Sequence, residues 1–357
     1  MSEVTGFATG WMCPIYKKND RNEISNYCPI TILNSDYKIL TKVLALRLAK
    51  VAPSLLHKSQ AGFVPGRSIT EQTKLIEMMI DDAEVSEQNG VIVALDQEKV
   101  YDKIAHDYLW KVLATLGFPE EFITLVKALY QNAEITIMVN GHFSPTFRVT
   151  RRVRQGDPMS CLLFDLAIEL LAALLQASHL KGYSIPGNEE KLIANLFADN
   201  TTTFLSEEDD MEDLQRILKR WCNASGAKFN TQKTEIIPIG TLEHRVRVIE
   251  TRKAKRDSEE IPAYIHIAKD GEPVRILGTW IGNKMDNENV WSVQLNKIDH
   301  ALEEWEKSNP TIEGRKLIIQ MVVGGMTQYL TQVQGILLPQ KRSWKKELEN
   351  SYEEKEL

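Results

Sequence analysis

Two aspartates stand where an apolar strand ends and where a hairpin turns. Asp96 closes the β-branched run Val91 to Leu95, and Asp199 lies in the turn Ala198-Asp199-Asn200 between Leu192 to Phe197 and Thr202 to Leu205. A carboxylate at the edge of a buried strand is costly unless something positive meets it. If the two strands are neighbours, both carboxylates converge, and hard oxygen ligands so placed would hold Mg²⁺. Two such ions about 3.5–4 Å apart suit an in-line phosphoryl displacement, activating the attacking hydroxyl and stabilising the leaving oxygen. A plainer reading stands beside this one: Asp-Asn also suits a tight hairpin turn, and Asp often caps a strand end.

Gln155-Gly156-Asp157-Pro158 follows the basic knot Arg148, Arg151, Arg152 and Arg154 and precedes a long apolar segment. Glycine there lets backbone approach a ligand, proline opens a helix, and the glutamine amide offers both donor and acceptor. Gly62 to Arg67 (GFVPGR) similarly joins turn residues to a guanidinium suited to phosphate. Each pattern is also that of an ordinary loop. The seven histidines show no ligand spacing, the four cysteines form no Cys-x-x-Cys, and no P-loop or G-x-G-x-x-G occurs. This argues against a zinc centre, a disulfide framework and a dinucleotide fingerprint.

Positioning such groups takes a body of strands and helices. The 357 residues, 43% hydrophobic and 26% charged, supply one with two or three domains. Residues 36–50 carry apolar side chains at Ile39, Leu40, Val43, Leu44, Leu46 and Leu48 over a Lys/Arg face, which predicts a helix capped by Asp36. A second helix is expected over 71–86, and Leu162 to Leu175 read as a helix buried on most sides. Ser206 is expected to cap a helix striped by Met211, Leu214, Ile217, Leu218 and Trp221 and ended by Gly226. Thr234 to Ile239 predict a strand, 252–260 an exposed loop, and Tyr264–Ile267 with Val274–Ile281 a strand pair. Beyond 290 the pattern is helical, divided by Pro310. The sum is an α/β (α+β) body with a helical C-terminal region.

A net charge of −6 argues against a nucleic-acid partner when taken over the whole chain. Residues 1–67, however, hold nine Lys/Arg (17, 18, 21, 38, 42, 47, 50, 58, 67) against four acids (3, 20, 23, 36), a local +5 that suits a polyphosphate. No secretory pattern opens the chain, and Asp165 and Glu169 interrupt the longest apolar stretch. The expectation is an intracellular protein, not secreted and without a membrane span.

Seven segments in order carry a resemblance: PIYKKNDRNEISNYCPITILNSDYKILTKVLALRL, QAGFVPGRSI, VALDQEKVYDKI, FRVTRRVRQGDPMSCLLF, LFADNTTTFL, SGAKFNTQKTEIIPIG and ILGTWIG. From about residue 11 to 282 the chain resembles the reverse transcriptase domain of a non-LTR (LINE-type) retrotransposon. The stretch EGRKLIIQMVVGGMTQYL resembles the thumb that follows. The resemblance implies a right-hand polymerase fold. Fingers would span 1–90 and 105–154, and a palm on a small antiparallel sheet would span 91–104 and 155–285. A thumb-like helical region would cover 286–357, loosely ordered at its end.

The implied activity is that of an RNA-directed DNA polymerase, with an RNA template, a DNA primer and dNTPs as partners and no obligate protein partner. Two Mg²⁺ ions would serve it, with Mn²⁺ as a substitute, in the nucleus or cytoplasm. By motif, Asp96 and Asp199 match the metal-binding acids, and the main-chain carbonyl of Gln97 a further ligand. Tyr101 matches the sugar gate, where a ring would clash with a ribose 2′-OH. Arg67 matches the fingers arginine on the triphosphate. Gln155 and Gly156 match the loop lining nucleotide and template, Lys233 the lysine that protonates departing pyrophosphate, and Ile276 to Gly282 the primer grip.

Three positions depart from the family's pattern. F-A-D-D is F-A-D-N here, so Asn200 keeps a coordinating oxygen but removes one negative charge from a site for two dications. N-Y-R-P-I is N-Y-C-P-I, with Cys28 for an arginine. R-G-V-R-Q-G is R-R-V-R-Q-G, with Arg152 for a glycine of the kind that permits unusual backbone angles. The departures imply a persisting fold with weakened polymerase activity. Drift around a working site, a template-binding module without chemistry, and a structural remnant are the alternatives.

Overall fold

The apolar run before Asp96 becomes the centre of a sheet, as its β-branched composition dictates. A computed structural model describes residues 6–335 apart from 132, 186, 188 and 189. The chain opens with β1 (Thr9–Tyr16), β2 (Tyr27–Leu33), α1 (Ser35–Leu55), α2 (Ile69–Val85) and β3 (Gly90–Gln97). Next come α3 (Val100–Lys103), α4 (His106–Thr115), α5 (Glu120–Gln131), β4 (Glu134–Val139), β5 (His142–Phe143), β6 (Phe147–Arg148) and α6 (Ser160–Gln176). The hairpin β7 (Ala194–Phe197) and β8 (Asn200–Ser206) leads to α7 (Met211–Ser225), β9 (Phe229–Ile239) and α8 (Leu242–Thr251). Short strands β10 (His266–Ile267), β11 (Val274–Ile276) and β12 (Thr279–Ile281) precede α9 (Asn287–Glu306), α10 (Ile312–Ile319) and α11 (Gly325–Gln334).

One sheet has the order β10-β9-β3-β8-β7, with β3 antiparallel to both β8 and β9. Strand alternation sends Val91, Val93 and Leu95 to one face, into a core shared with Phe164, Leu166 and Leu171 of α6 and Leu214 and Trp221 of α7. Ile92 faces the other way, into a cluster with Ile76 and Met79 of α2, Phe204 and Ile237. Both faces of β3 are thus covered, which is why its sequence is apolar throughout. A second sheet has the order β2-β1-β4-β5 with β6 also on β4, and the connection from β1 to β2 bears Lys17, Lys18 and Arg21.

Several boundaries differ from the sequence expectation. The Asn34 side chain accepts the Asp36 N–H at 2.9 Å, so Asn34 and not Asp36 caps α1. Asp210 caps α7 by accepting from Glu212, while Ser206 ends β8 and donates its N–H to the buried Asp209. Ser206, Asp209 and Asp210 all fit a cap, and tertiary contacts choose among them. Tyr264–Ile267 and Val274–Ile281 do not pair. His266–Ile267 extends the first sheet parallel to β9, and β11 pairs with β12 about Leu277-Gly278. Segment 252–260 is partly buried: Arg252 donates to the carbonyls of Ile261, Pro262 and Ile265, and Ala254 and Ser258 are buried. The C-terminal end beyond 335, expected to be loosely ordered, lies outside the described residues.

Candidate active site

Leu95 of β3 pairs with Thr201 of β8, so the next residues along, Asp96 and Asn200, are neighbours at the end of the sheet. Phe197 pairs with Asn200, which makes the turn only Ala198-Asp199 and puts Asn200 in the strand. On the other side of β3 its partner β9 is bulged: the register jumps from Ala94–Glu235 to Asp96–Asn230, leaving 231–234 of β9 to span the room of Leu95 alone. A bulge re-aims side chains. This one brings Lys233 Nζ to 3.0 Å from Asp96 Oδ2, with the two side chains 62% and 42% exposed.

Burial raises the pKa of the Asp199 carboxyl, and the charge of Asp96 pushes the same way. The Asp199 backbone N–H and the ammonium of Lys17 oppose that shift. Lys17, just past β1, is therefore within electrostatic reach of the turn. Sequence reasoning counted it only as one charge of a basic front, although its place in PIYKK was available. Tyr101 is half-buried 4.5 Å ring to ring from Phe164, and its hydroxyl pKa is raised by burial and then by the charges of Asp199, Cys161 and Asp165. The structure thus gathers Asp96, Asp199, Asn200, Lys233 and Tyr101 around one end of the sheet.

Gln97 is buried. Its Nε2 donates to Thr201 Oγ1 at 3.3 Å, and its Oε1 has no hydrogen-bond partner among the described residues. Gly156 has φ 89°, and a Cβ there would overlap the carbonyl oxygen of Thr31, so glycine lets this loop close onto β2. Gln155, beside it, is half-buried. Arg152, at the position where the family pattern has glycine, adopts φ 83°. Its buried guanidinium donates to Thr31 Oγ1 at 3.3 Å, and burial lowers its pKa. Cys28 lies in β2 opposite Ile15.

Arg67 is placed differently from the rest. Its guanidinium donates to the carbonyls of Pro53 (3.1 Å), Leu56 (2.9 Å), His57 (2.6 Å) and Gln60. The carbonyls that close a helix lack intrahelical donors, so a five-donor guanidinium satisfies this end of α1.

Asp96, Asp199 and the neighbouring Asn200 bring hard oxygen atoms to one end of the sheet. Mg²⁺ is typically held by one or two carboxylates together with substrate phosphates, and a cation would relieve the repulsion between Asp96 and Asp199. Among the described residues no cluster of three or more His, Cys, Asp or Glu is poised for a metal. The residues present fit the ion on those terms. Among the described residues, no helix is long and apolar enough to cross a membrane.

Residues 15–281 match the family described as reverse transcriptase (RNA-dependent DNA polymerase). The transposon TX1 uncharacterized 149 kDa protein of Xenopus laevis is 28% identical over 316 residues, 88% of this chain and 23% of that protein. A retrovirus-related Pol polyprotein from type-1 retrotransposable element R2 of Popillia japonica is 29% identical over 198 residues, 55% of this chain and 27% of that one. The chain thus spans about a quarter of these relatives' length. Among solved structures, apo telomerase from Candida tropicalis aligns at TM-score 0.47 and 14% identity, covering 68% of this chain and 46% of that one.

Proposed function

The chain belongs to the reverse transcriptase family, as a domain of the non-LTR type, and on that premise we propose that it adds deoxynucleotides to a primer 3′-hydroxyl on an RNA template at Asp96 and Asp199. The fold is the right-hand polymerase fold, with residues 91–104 and 155–285 as palm, 1–90 and 105–154 as fingers, and the helices from 286 as thumb. The observation that carries the reading is the convergence of Asp96 and Asp199 at one sheet end, where the charge of Asp96 is felt at the Asp199 carboxyl.

Asp96, Asp199 and the Gln97 main-chain carbonyl would hold two Mg²⁺, or Mn²⁺, in this reading. When bound, the ions supply charge neutralisation to the attacking hydroxyl and the leaving pyrophosphate. The Lys233 ammonium, already beside Asp96, is placed to give the leaving pyrophosphate its proton. Tyr101, packed on Phe164 near Asp199, closes the space a 2′-hydroxyl would need. Gln155 and Gly156 line the nucleotide and template, and Lys17 adds positive charge where a triphosphate would approach. Arg67 reaches a triphosphate only by giving up its carbonyls. The domain works inside the cell, in nucleus or cytoplasm, where RNA and dNTPs meet.

Incorporation of a single dNTP on an RNA template in Mn²⁺ tests this reading. The unaltered chain is expected to incorporate, and Asp199→Asn to lose incorporation while binding primer–template equally well. Incorporation that survives Asp199→Asn would contradict it. Asn200 favours a second reading, a domain that binds template without turnover. Primer–template affinity that survives Asp96→Asn, with no incorporation by any form, would support that one.

A further inference from the structure

The turn that carries Asp199 is held from outside its own sheet. β7 is an edge strand, and residues 59–61 run alongside it: Leu196 donates to Ser59 O at 2.7 Å, and Ala61 donates to Leu196 O at 2.9 Å. Gln60, wholly buried, turns its carboxamide onto the turn itself. Its Oε1 accepts the Ala198 N–H at 3.0 Å and the Gly62 N–H at 2.8 Å. Ala198 has φ 52°, a left-handed conformation that a non-glycine residue keeps only when its surroundings impose it. Gly62 allows the approach, since a Cβ on it would overlap the Ala198 amide nitrogen. Arg67 anchors the segment by donating to the carbonyls of Pro53, Leu56 and His57 before it and of Gln60 within it.

We propose that Gln60 is a positioning residue for Asp199, acting through the Ala198 amide to fix the turn in the strained form that aims the carboxylate at Asp96. The proposal rests on the polymerase reading for its purpose, but the geometry it asserts is independent of turnover. A neutral acceptor suits the place: charge would be buried beside Asp199, so Gln accepts the two N–H groups without it, and a glutamate there would be held protonated and accept them through its carbonyl oxygen. In this account the QAGFVPGR segment acts on the catalytic turn, with Arg67 as its anchor.

The test compares the unaltered full chain with Gln60→Met, which keeps length and removes the acceptor, and Gln60→Glu, which keeps the acceptor. Amide hydrogen exchange and Mn²⁺ binding are the two readouts. In Gln60→Met the amides of Ala198 and Gly62 are expected to exchange about tenfold faster. The amides of Leu196 and Ala61, bonded to backbone carbonyls, keep their protection and show that the fold survives. Mn²⁺ affinity is expected to fall severalfold in Gln60→Met, while Gln60→Glu restores protection of Ala198. Unchanged exchange at Ala198, or Mn²⁺ affinity equal to the parent despite faster exchange, overturns the proposal. Because neither readout needs incorporation, a chain that never extends a primer can still bear out the positioning role.

Discussion

Lys233 Nζ lies 3.0 Å from Asp96 Oδ2, joined across a bulge that only the pairing of β3 with β9 creates. The same ammonium is proposed to protonate pyrophosphate, so it must leave the carboxylate when a cation arrives. Lys233→Met is therefore expected to bind Mn²⁺ severalfold more tightly and to incorporate nucleotide about a hundredfold more slowly. Its stability should stay within about 1 kcal/mol of the parent, since both partners are partly exposed. Mn²⁺ titration with single-nucleotide kinetics checks this, and weaker Mn²⁺ binding would contradict it.

Asp199 sets a pH limit. Its carboxyl pKa is raised by burial and by Asp96, so as pH falls it takes a proton before an ordinary aspartate does. Protonation removes a metal ligand. Mn²⁺ affinity is expected to decline on acidification from a pH above the usual carboxylate range, and Asp96→Asn, by removing the repelling charge, should move that decline downward. A pH profile of Mn²⁺ binding for both chains decides.

Asp165 makes stability depend on pH. It is fully buried on α6, its oxygens lack hydrogen-bond partners among the described residues, and burial pushes its pKa up to about 9, against the opposing charge of Arg67. Glu169, one turn on, is raised to about 7 by burial. A raised folded-state pKa favours the protonated form in the fold. The contribution is complete below the unfolded value near 4 and is lost as pH rises through about 9. Asp165→Asn removes Asp165's part of this slope and should be more stable than the parent at pH 8 by about 1–3 kcal/mol. Urea unfolding at pH 5 and pH 8 shows it; a parent equally stable at both would contradict it.

Arg152 carries a backbone cost. At φ 83° a glycine would be relaxed and an alanine would not. With the guanidinium removed in both variants, Arg152→Gly should exceed Arg152→Ala in stability by about 1 kcal/mol. Equal urea midpoints would show that the backbone there relaxes without help.

What the sequence reveals and conceals follows from the physics of each contact. Asp96 and Asp199 are legible because a charge at the end of an apolar run is locally anomalous, and Arg152 because a glycine position has a backbone reason. Arg67 is not legible. Its partners are main-chain carbonyls, which leave no trace in residue type, and the same guanidinium would suit phosphate. Gln60 is hidden for the same reason, since the amide it holds belongs to an alanine. The strand at β10 is legible but its partner β9 is not, because two parallel residues leave no mark of what they pair with, and the cap of α7 is hidden because Ser206, Asp209 and Asp210 are chemically interchangeable until Asp209 is drawn inward by Lys181, Gly182 and Ser206.

The central claim is that Asp96 and Asp199 form a polymerase site weakened by one missing charge at Asn200. Primer extension on an RNA template, in Mg²⁺ and in Mn²⁺, by the unaltered chain, Asn200→Asp and Asp96→Asn tests it most directly. The account predicts that Asn200→Asp extends at least about tenfold faster than the unaltered chain, since 1.4 kcal/mol of restored charge stabilisation is a factor of ten. It predicts that Asp96→Asn extends not at all. Three folded proteins that all fail to extend, or an Asp96→Asn variant that extends as well as the others, would contradict it.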